Sequence, residues 1–522
     1  MSRVLEPGAT CSSIEDVGHA RVLVDGEEYY AVLRETCRKA SRYICMTGWQ
    51  FDTRANLAPD EDEALRFLDF LNALCEENAE LEVFVTAWNY SVVYAVEREW
   101  FQNVRFAVGA HERVHFRFLN HPEPGAAHHE KIVVVDGAVA FCGGLDVCDE
   151  RWDSRRHLGK DPRRLSARET TYGPFHDVQL MLGGSVVGQL EEYFWQSWVQ
   201  AGGEASVRPT KPTHVQFEPR GLLPERGLEL QACRAALSRT RIEDDERFEI
   251  EELLLRAVGR AERFIYVENQ YFTSKAFVKA LITRMCDEAR PKLDVVFVLP
   301  EGGHSKKEEL VLGSRQRLML WLVHELARTN GHRFRVLQSS SVDDEGNRIA
   351  TYIHSKVMTI DDRFATIGSA NLMNRSMRVD HELNVSFDVE LCESEGQQTQ
   401  LTQDLRRLTS SLLAEHAGLA EEANASEVNV FYRADDWIAV VDELCADPGS
   451  KLMPQKLERP KEDDEFFSAL CDPAGPLNWT SIHDAVDSLF ESDQTAVKGA
   501  ARRVGQLLGV VDIEQDDKSA ST

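Results

Sequence analysis

Two stretches of the chain repeat one spacing of reactive residues, His-x-Lys-x-x-x-x-Asp. The first is His129, Lys131 and Asp136; the second is His354, Lys356 and Asp361. In a chain with 16 histidines, two such matches in equivalent settings lie far beyond accident. The residue types fit displacement at a phosphodiester. That ester carries a negative charge and repels nucleophiles. Its displacement needs cations around the equatorial oxygens, an in-line nucleophile and an acid for the leaving alkoxide. Two lysines and two histidines supply this set without a metal or other cofactor. One histidine, neutral, attacks phosphorus. The other, protonated, hands its proton to the leaving group and then takes one from incoming water or alcohol. Imidazole suits both tasks because it titrates near neutrality.

The elements that position these groups read as hairpins: a strand, a two-residue turn and a second strand. Asp136-Gly137 is a strong turn signal and Asp361-Asp362 a weaker one. Residues i and i+2 of a strand share a face, which points His129 with Lys131 and His354 with Lys356. The apolar runs Ile132–Val135 and Val357–Ile360 anchor them. Gly143, Gly144 and Gly368 let backbone come close at the far end. Asp136 and Asp361 fall in the turns and read as structural rather than catalytic. His128 points to the opposite strand face, as surface or core filler. Glu268, Asn269 and Gln270 are polar residues in a buried strand and line or brace the site. His176 supports either the site or the core. Trp49 and Trp88, near strand ends, frame the entrance or pack inside.

Around the hairpins, strands and helices alternate, which predicts an α/β architecture. Strands at 43–53 and 81–88 flank a helix at 65–78. A helix at 249–261 precedes strands at 264–272 and 293–300. Both series end in a His-Lys hairpin, an internal duplication of architecture. The division expected is a first half at 1–205, a breaker-rich linker at 206–226 with Pro209, Pro212, Pro219 and Pro224, and a second half at 227–420 closing with a helix at 404–419. A mostly helical extension follows at 421–522. It holds a charged loop at 456–465 and helices at 481–491 and 495–509.

Composition bounds the function classes. The 522 residues contain no apolar run approaching the roughly 20 that span a bilayer, and the N-terminus lacks the order of a signal peptide. The expectation is a soluble cytoplasmic protein with peripheral membrane contact, export by a dedicated machine remaining open. Eleven cysteines, an odd number without metal-type spacing, fit reduced thiols. A net charge of -28 argues against nucleic acid as a partner. One local exception is 151–168, where Arg151, Arg155, Arg156, Lys160, Arg163, Arg164 and Arg168 outweigh Asp153 and Asp161. It reads as a solvated loop or as a contact for anionic lipid headgroups.

Beyond the motifs, four blocks stand in one order: AFCGGLDVCDERWD (140–153), GPFHDVQLMLGGSVVGQLEEYFWQSW (173–198), FIYVENQYFTS (264–274) and IGSANLMNRSMRVDHEL (367–383). With the two motifs they make the chain resemble the phospholipase D superfamily, and within it phospholipase D proper, over roughly residues 20–420. The resemblance implies two similar halves, each a mixed sheet flanked by helices, packed with pseudo-two-fold symmetry around one active site. It implies His129 as nucleophile through a covalent phosphohistidine and His354 as general acid and base. Lys131 and Lys356 match the phosphate-binding lysines. Asn371, with Ser369 in the same Gly-Ser-Ala-Asn, matches a phosphate contact. Asp146, following Gly144, stands at the corresponding place in the first half, where the wider superfamily has Asn, and there it resembles phospholipase D proper. Asp177 and Glu382 match acidic residues that orient the histidine rings. The implied reaction is hydrolysis of a glycerophospholipid to phosphatidic acid and a headgroup alcohol, with exchange onto another alcohol open to the same intermediate. The alternative is a cardiolipin synthase-like phosphatidyltransferase. The expected partners are a phospholipid at a membrane surface and water or an alcohol; the chain is expected to be a monomer.

Overall fold

Strand Ile132–Val135 is a run of β-branched residues, all buried. Its alternation divides two layers: Ile132 and Val134 face one apolar cluster, Val133 and Val135 another. Around it grows an eight-stranded sheet. Its order is Leu228–Leu230, His19–Val24, Val178–Gly183, Val139–Gly143, Ile132–Val135, Tyr43–Gly48, Glu82–Trp88 and Val114–Leu119. The last three run parallel and the rest antiparallel. This computed structural model describes residues 3–458 and 472, apart from 62–63, 90–101, 122, 124, 213–217, 224, 243–245, 302–311 and 420–428.

The second sheet repeats the same logic. From one edge it runs Ser13–Asp16, Arg234–Arg241, Glu382–Asp388, Phe364–Gly368, Val357–Ile360, Phe264–Glu268, Asp294–Val298 and Arg333–Val342, with Arg348–Ala350 beyond. Phe264–Glu268, Asp294–Val298 and Arg333–Val342 are its parallel trio. The fold is thus α/β, with mixed sheets flanked by helices.

Short strands cross between the two. Ser13–Asp16 pairs with Arg234–Arg241 in the second sheet, while Leu228–Leu230 pairs with His19–Val24 in the first. A division at 206–226 therefore leaves one strand of each half in the other's sheet. The exchange covers an edge that would otherwise present unpaired backbone. Phe175–His176 also runs parallel to Tyr352–Ile353 and stitches the halves next to His354.

Both sheets contribute to one core. Cys45, Val134 and Leu180 from the first meet Tyr266, Val296, Ile367 and Val385 from the second, together with helices Val186–Gln200 and Glu395–His416. The latter helix starts at Glu395 rather than 404. Its opening turns are polar, so apolar periodicity begins only at Leu401, while Ser394 and Gln397 form the capping box that marks the true start. Beyond it, helices Val430–Arg433 and Trp437–Ala446 are followed by Leu452–Pro454, which adds to the second sheet beside Arg333–Val342. The helices expected at 481–491 and 495–509, and most of the loop at 456–465, lie outside the described residues. Among the described residues no helix is long and apolar enough to cross a membrane.

Candidate active site

In both hairpins the strand begins just after the lysine, at Ile132 and Val357, so the histidines and lysines precede the strands that anchor them. The reason is a change of backbone partner. The His129 N–H donates to the carbonyl of His381 at 2.9 Å, and the His354 N–H to that of His176 at 2.8 Å. Each motif leaves its own sheet at its histidine and bonds to the opposite half.

The turns differ from each other in chemistry but not in shape. Asp136 and Gly137 have φ of 53° and 62°, Asp361 and Asp362 of 56° and 57°. The Ala138 and Arg363 N–H groups close these turns onto the carbonyls of Val135 and Ile360. Two successive residues at positive φ match the right-handed twist of the flanking strands. The motif aspartates hold neighbouring strands. Asp136 accepts from the N–H groups of Ser41, Arg42 and Tyr43, and Asp361 from those of Glu262, Arg263 and Phe264. They stand at the far end of the hairpins, outside the histidine cluster.

The cluster itself is cross-wired. His129 Nδ1 lies 2.9 Å from Glu382 Oε2, and His354 Nδ1 lies 2.6 Å from Asp177 Oδ2. Each ring is thus held by a carboxylate from the other half. Both carboxylates are fully buried. A hydrogen bond at Nδ1 leaves Nε2 as the reactive nitrogen. Lys131 Nζ pairs with Asp146 Oδ2 at 3.0 Å, and Asp146 Oδ1 accepts from the Trp49 N–H at 2.9 Å. Lys356 Nζ and Asn371 Nδ2 both reach Gln270 Oε1 at 3.4 Å. Ser369 donates its hydroxyl to Glu382. Gly144 has no side chain because the Asp177 carboxylate occupies the space a Cβ would take. Asn269 accepts from the N–H groups of Tyr271 and Leu372 and so shapes the loop. Trp88 is buried; the half-buried Trp49 stacks on it at 6.1 Å. His128 takes the core alternative: it is buried, and its Nδ1 meets His381 Nδ1 at 3.0 Å in a cluster with His121.

Burial and the paired lysines set the electrostatics. Burial, then Lys131 and Lys356, hold His129 well below the usual imidazole range. Burial, then Lys356, Arg151, Lys131 and His129, do the same to His354. Each histidine feels the other motif's lysine, as one shared site requires. Burial pushes Glu382 up to about 8 and Asp177 to about 6, and lowers Lys356 to about 7. The empty site therefore keeps its imidazoles neutral. An anion placed between the lysines reverses the local field and raises imidazole basicity.

Behind the second motif lies a buried ionic network, of which the sequence marks only His176 and Glu268 as bracing residues. His176 Nε2 meets Glu268 at 3.0 Å, and its Nδ1 meets Asp25 at 3.0 Å and Glu415 at 2.9 Å. Glu268 also accepts from Ser355 at 2.7 Å and meets His416 at 2.9 Å. His157 joins Asp153 and Glu415, and Arg155 and Arg164 complete the charge balance. Carboxylates raise His157 to about 9 against burial, and push His176 up as well. Among the described residues, two of the three clusters whose donor atoms lie close enough to hold a metal fall in this network, and His121, His128 and His381 form the third. Within the network these donors already pair with arginine, serine and one another. The basic stretch 151–168 is partly consumed here: Arg155 and Arg164 point inward, and Arg163 pairs with Asp161. Asp25 and Glu415 carry no spacing signal; a Glu-His pair ending an apolar-spaced helix is the one hint available.

Comparisons with known proteins agree with this architecture. The family model described as "Phospholipase D" matches residues 36–281, and "Cardiolipin synthase, PLD-like domain" matches residues 254–408. The chain belongs to the phospholipase D superfamily. It is 24% identical over 450 residues to Phospholipase D1 of Saccharomyces cerevisiae, covering 70% of this chain and 26% of that protein. It is 23% identical over 372 residues to a cardiolipin synthase of Halalkalibacterium halodurans, covering 70% and 62%. The chain thus spans from about a quarter to under two thirds of these relatives' lengths. In fold it resembles the crystal structure of phosphatidylserine synthase from Haemophilus influenzae, with a TM-score of 0.51 and 13% identity over 78% of this chain and 89% of that one.

Proposed function

We propose that the chain is a phospholipase D-type phosphodiesterase that works through a phosphohistidine. The observation that carries this reading is the crossed pairing of His129 with Glu382 and His354 with Asp177, flanked by Lys131 and Lys356. The phosphodiester binds between the two lysines, and the Asn371 amide, 3.4 Å from Gln270 Oε1, turns to a non-bridging oxygen. The lone pair on His129 Nε2 attacks phosphorus. The bond from phosphorus to the headgroup oxygen breaks, and the proton on His354 Nε2 passes to that oxygen. Water then gives its proton to His354 as its oxygen displaces His129. The products are a headgroup alcohol and phosphatidic acid. An alcohol in place of water gives a new phosphodiester, so hydrolysis and phosphatidyl transfer share one intermediate.

The loop after Arg151 offers Leu158 and Leu165, exposed at 39% and 46%, among the exposed Arg156, Lys160 and Arg168. The test is incubation of the purified chain with mixed phospholipid vesicles, with and without glycerol, and mass spectrometry of the products. Phosphatidic acid that disappears in His129→Ala and His354→Ala supports the reading. A dominant glycerol adduct or cardiolipin identifies a transferase. No lipid turnover, with cleavage of nucleic acid instead, contradicts it.

A further inference from the structure

Resting on that reading, we infer that Arg151 forms an oxyanion subsite for the leaving headgroup, so that the site favours headgroup alcohols bearing a carboxylate or phosphate. Of the seven cations in 151–168, Arg155, Arg163 and Arg164 are committed to carboxylates within the protein. Arg151 is not: among the described residues no carboxylate or carbonyl accepts from its guanidinium. The group instead lies over the Phe175 ring, 4.9 Å from its centroid. Phe175 in turn lies 5.4 Å from the His354 ring and 5.9 Å from Tyr352. Arg151 therefore stands on the wall of the cleft beside His354, the histidine that protonates the leaving alcohol. Its charge is felt at His354 and at Lys356.

Its base is rigid. The neighbouring Trp152 is buried, and the Asp153 carbonyl accepts from the Glu27 N–H at 2.9 Å. Helix Asp25–Arg38 comes so close that a Cβ on Gly26 would stand 2.7 Å from the Trp152 Cα. A planar fork with five donors, held on an aromatic face and only half-buried, is suited to bidentate recognition of a carboxylate or phosphate. The scissile phosphate already has two lysines, so the unused donors fall to a second anionic group.

The test compares phosphatidylserine with phosphatidylglycerol and phosphatidylethanolamine, as short-chain monomeric lipids that remove surface charge from the comparison. Phosphatidylserine and phosphatidylglycerol share a net charge, but only the serine headgroup carries a carboxylate; the ethanolamine headgroup controls for its amine. The wild type is expected to show the higher kcat/KM on the serine lipid. Arg151→Gln is expected to lower the serine-to-glycerol ratio of kcat/KM by about ten-fold or more, chiefly through KM, and Arg151→Lys to restore part of it. Melting temperatures establish that both variants fold. A ratio unchanged in Arg151→Gln, or lost equally in Arg151→Lys and Arg151→Gln with a matching loss of melting temperature, overturns the subsite. Absence of turnover on every lipid by the wild type overturns the phospholipase reading along with it.

Discussion

At the scale of single residues, the site is a set of groups held away from their ordinary ionisation. In the proposed reaction Lys356, lowered to about 7 mainly by burial, needs its charge to receive the phosphodiester. Because kcat/KM reports the free enzyme, it should fall as pH rises past about 7, while kcat holds further since bound phosphate restores the charge. A pH profile of both constants checks this, and Lys356→Arg, which cannot titrate, should remove the limb. Glu382 tests the other side of the balance. Its folded value of about 8 lies above its ordinary 4.5, so its proton stabilises the fold fully below pH 4.5, and that stability is lost as pH rises through 8. Glu382→Gln removes this loss, so its melting temperature should exceed the wild type's at about pH 8.5, with the gap closing as pH falls toward 4.5. The same change should cut kcat by about 100-fold or more, because an amide no longer enforces the required tautomer of His129. A variant that loses stability and keeps activity contradicts the assigned role. The motif residues themselves are legible in the chain, since types and spacing carry the chemistry. Their carboxylate partners come from the resemblance alone, and nothing local to Asp177 or Glu382 says that each serves the other half's histidine.

Elements explain that crossing. A strand's side chains repeat every second residue, so the anchoring runs Ile132–Val135 and Val357–Ile360 can be read directly. What the pattern cannot give is where the ladder stops. Backbone groups of His129 and His354 exchange their own sheets for carbonyls across the seam, and the strand ends there. The polar first turns of helix Glu395–His416 conceal its start for a similar reason, because periodicity needs apolar residues to be visible. The motif aspartates belong to this scale. Asp136→Ala strands the N–H groups of Ser41, Arg42 and Tyr43 at the start of Tyr43–Gly48. The expected cost is about 2–4 kcal/mol by denaturant titration, with a smaller loss of kcat per folded molecule than His129→Ala produces. Equal catalytic losses would place Asp136 in the chemistry instead.

Over the whole molecule, two sheets of like strand order exchange edge strands, share a core and meet at one seam. The ionic network around His176 and Glu268 lies on that seam, with one neighbour, Asp177, orienting His354 and another, Ser355, following it. Removing one member leaves buried charge unpaired. Glu268→Gln should therefore destabilise the fold by about 3–5 kcal/mol, read by melting or denaturant titration. The sign of the pH dependence follows from His157, whose folded value of about 9 exceeds its ordinary 6.5. Its stabilisation is complete below pH 6.5 and lost as pH rises through 9, so His157→Asn should flatten that decline. In the chain only Glu268 and His176 stand out, as bracing residues; that Asp25, His157 and Glu415 join them does not show, because the five are distant in sequence and converge only on folding.

The proposed chemistry needs His129 as nucleophile and His354 as its acid. Rapid quenching into alkali, which preserves phosphohistidine, followed by peptide mapping, tests it most directly with a phosphate-labelled phospholipid. The predicted result is label on His129, absent in His129→Ala. Label on His354, or undiminished turnover in either alanine variant, would contradict it.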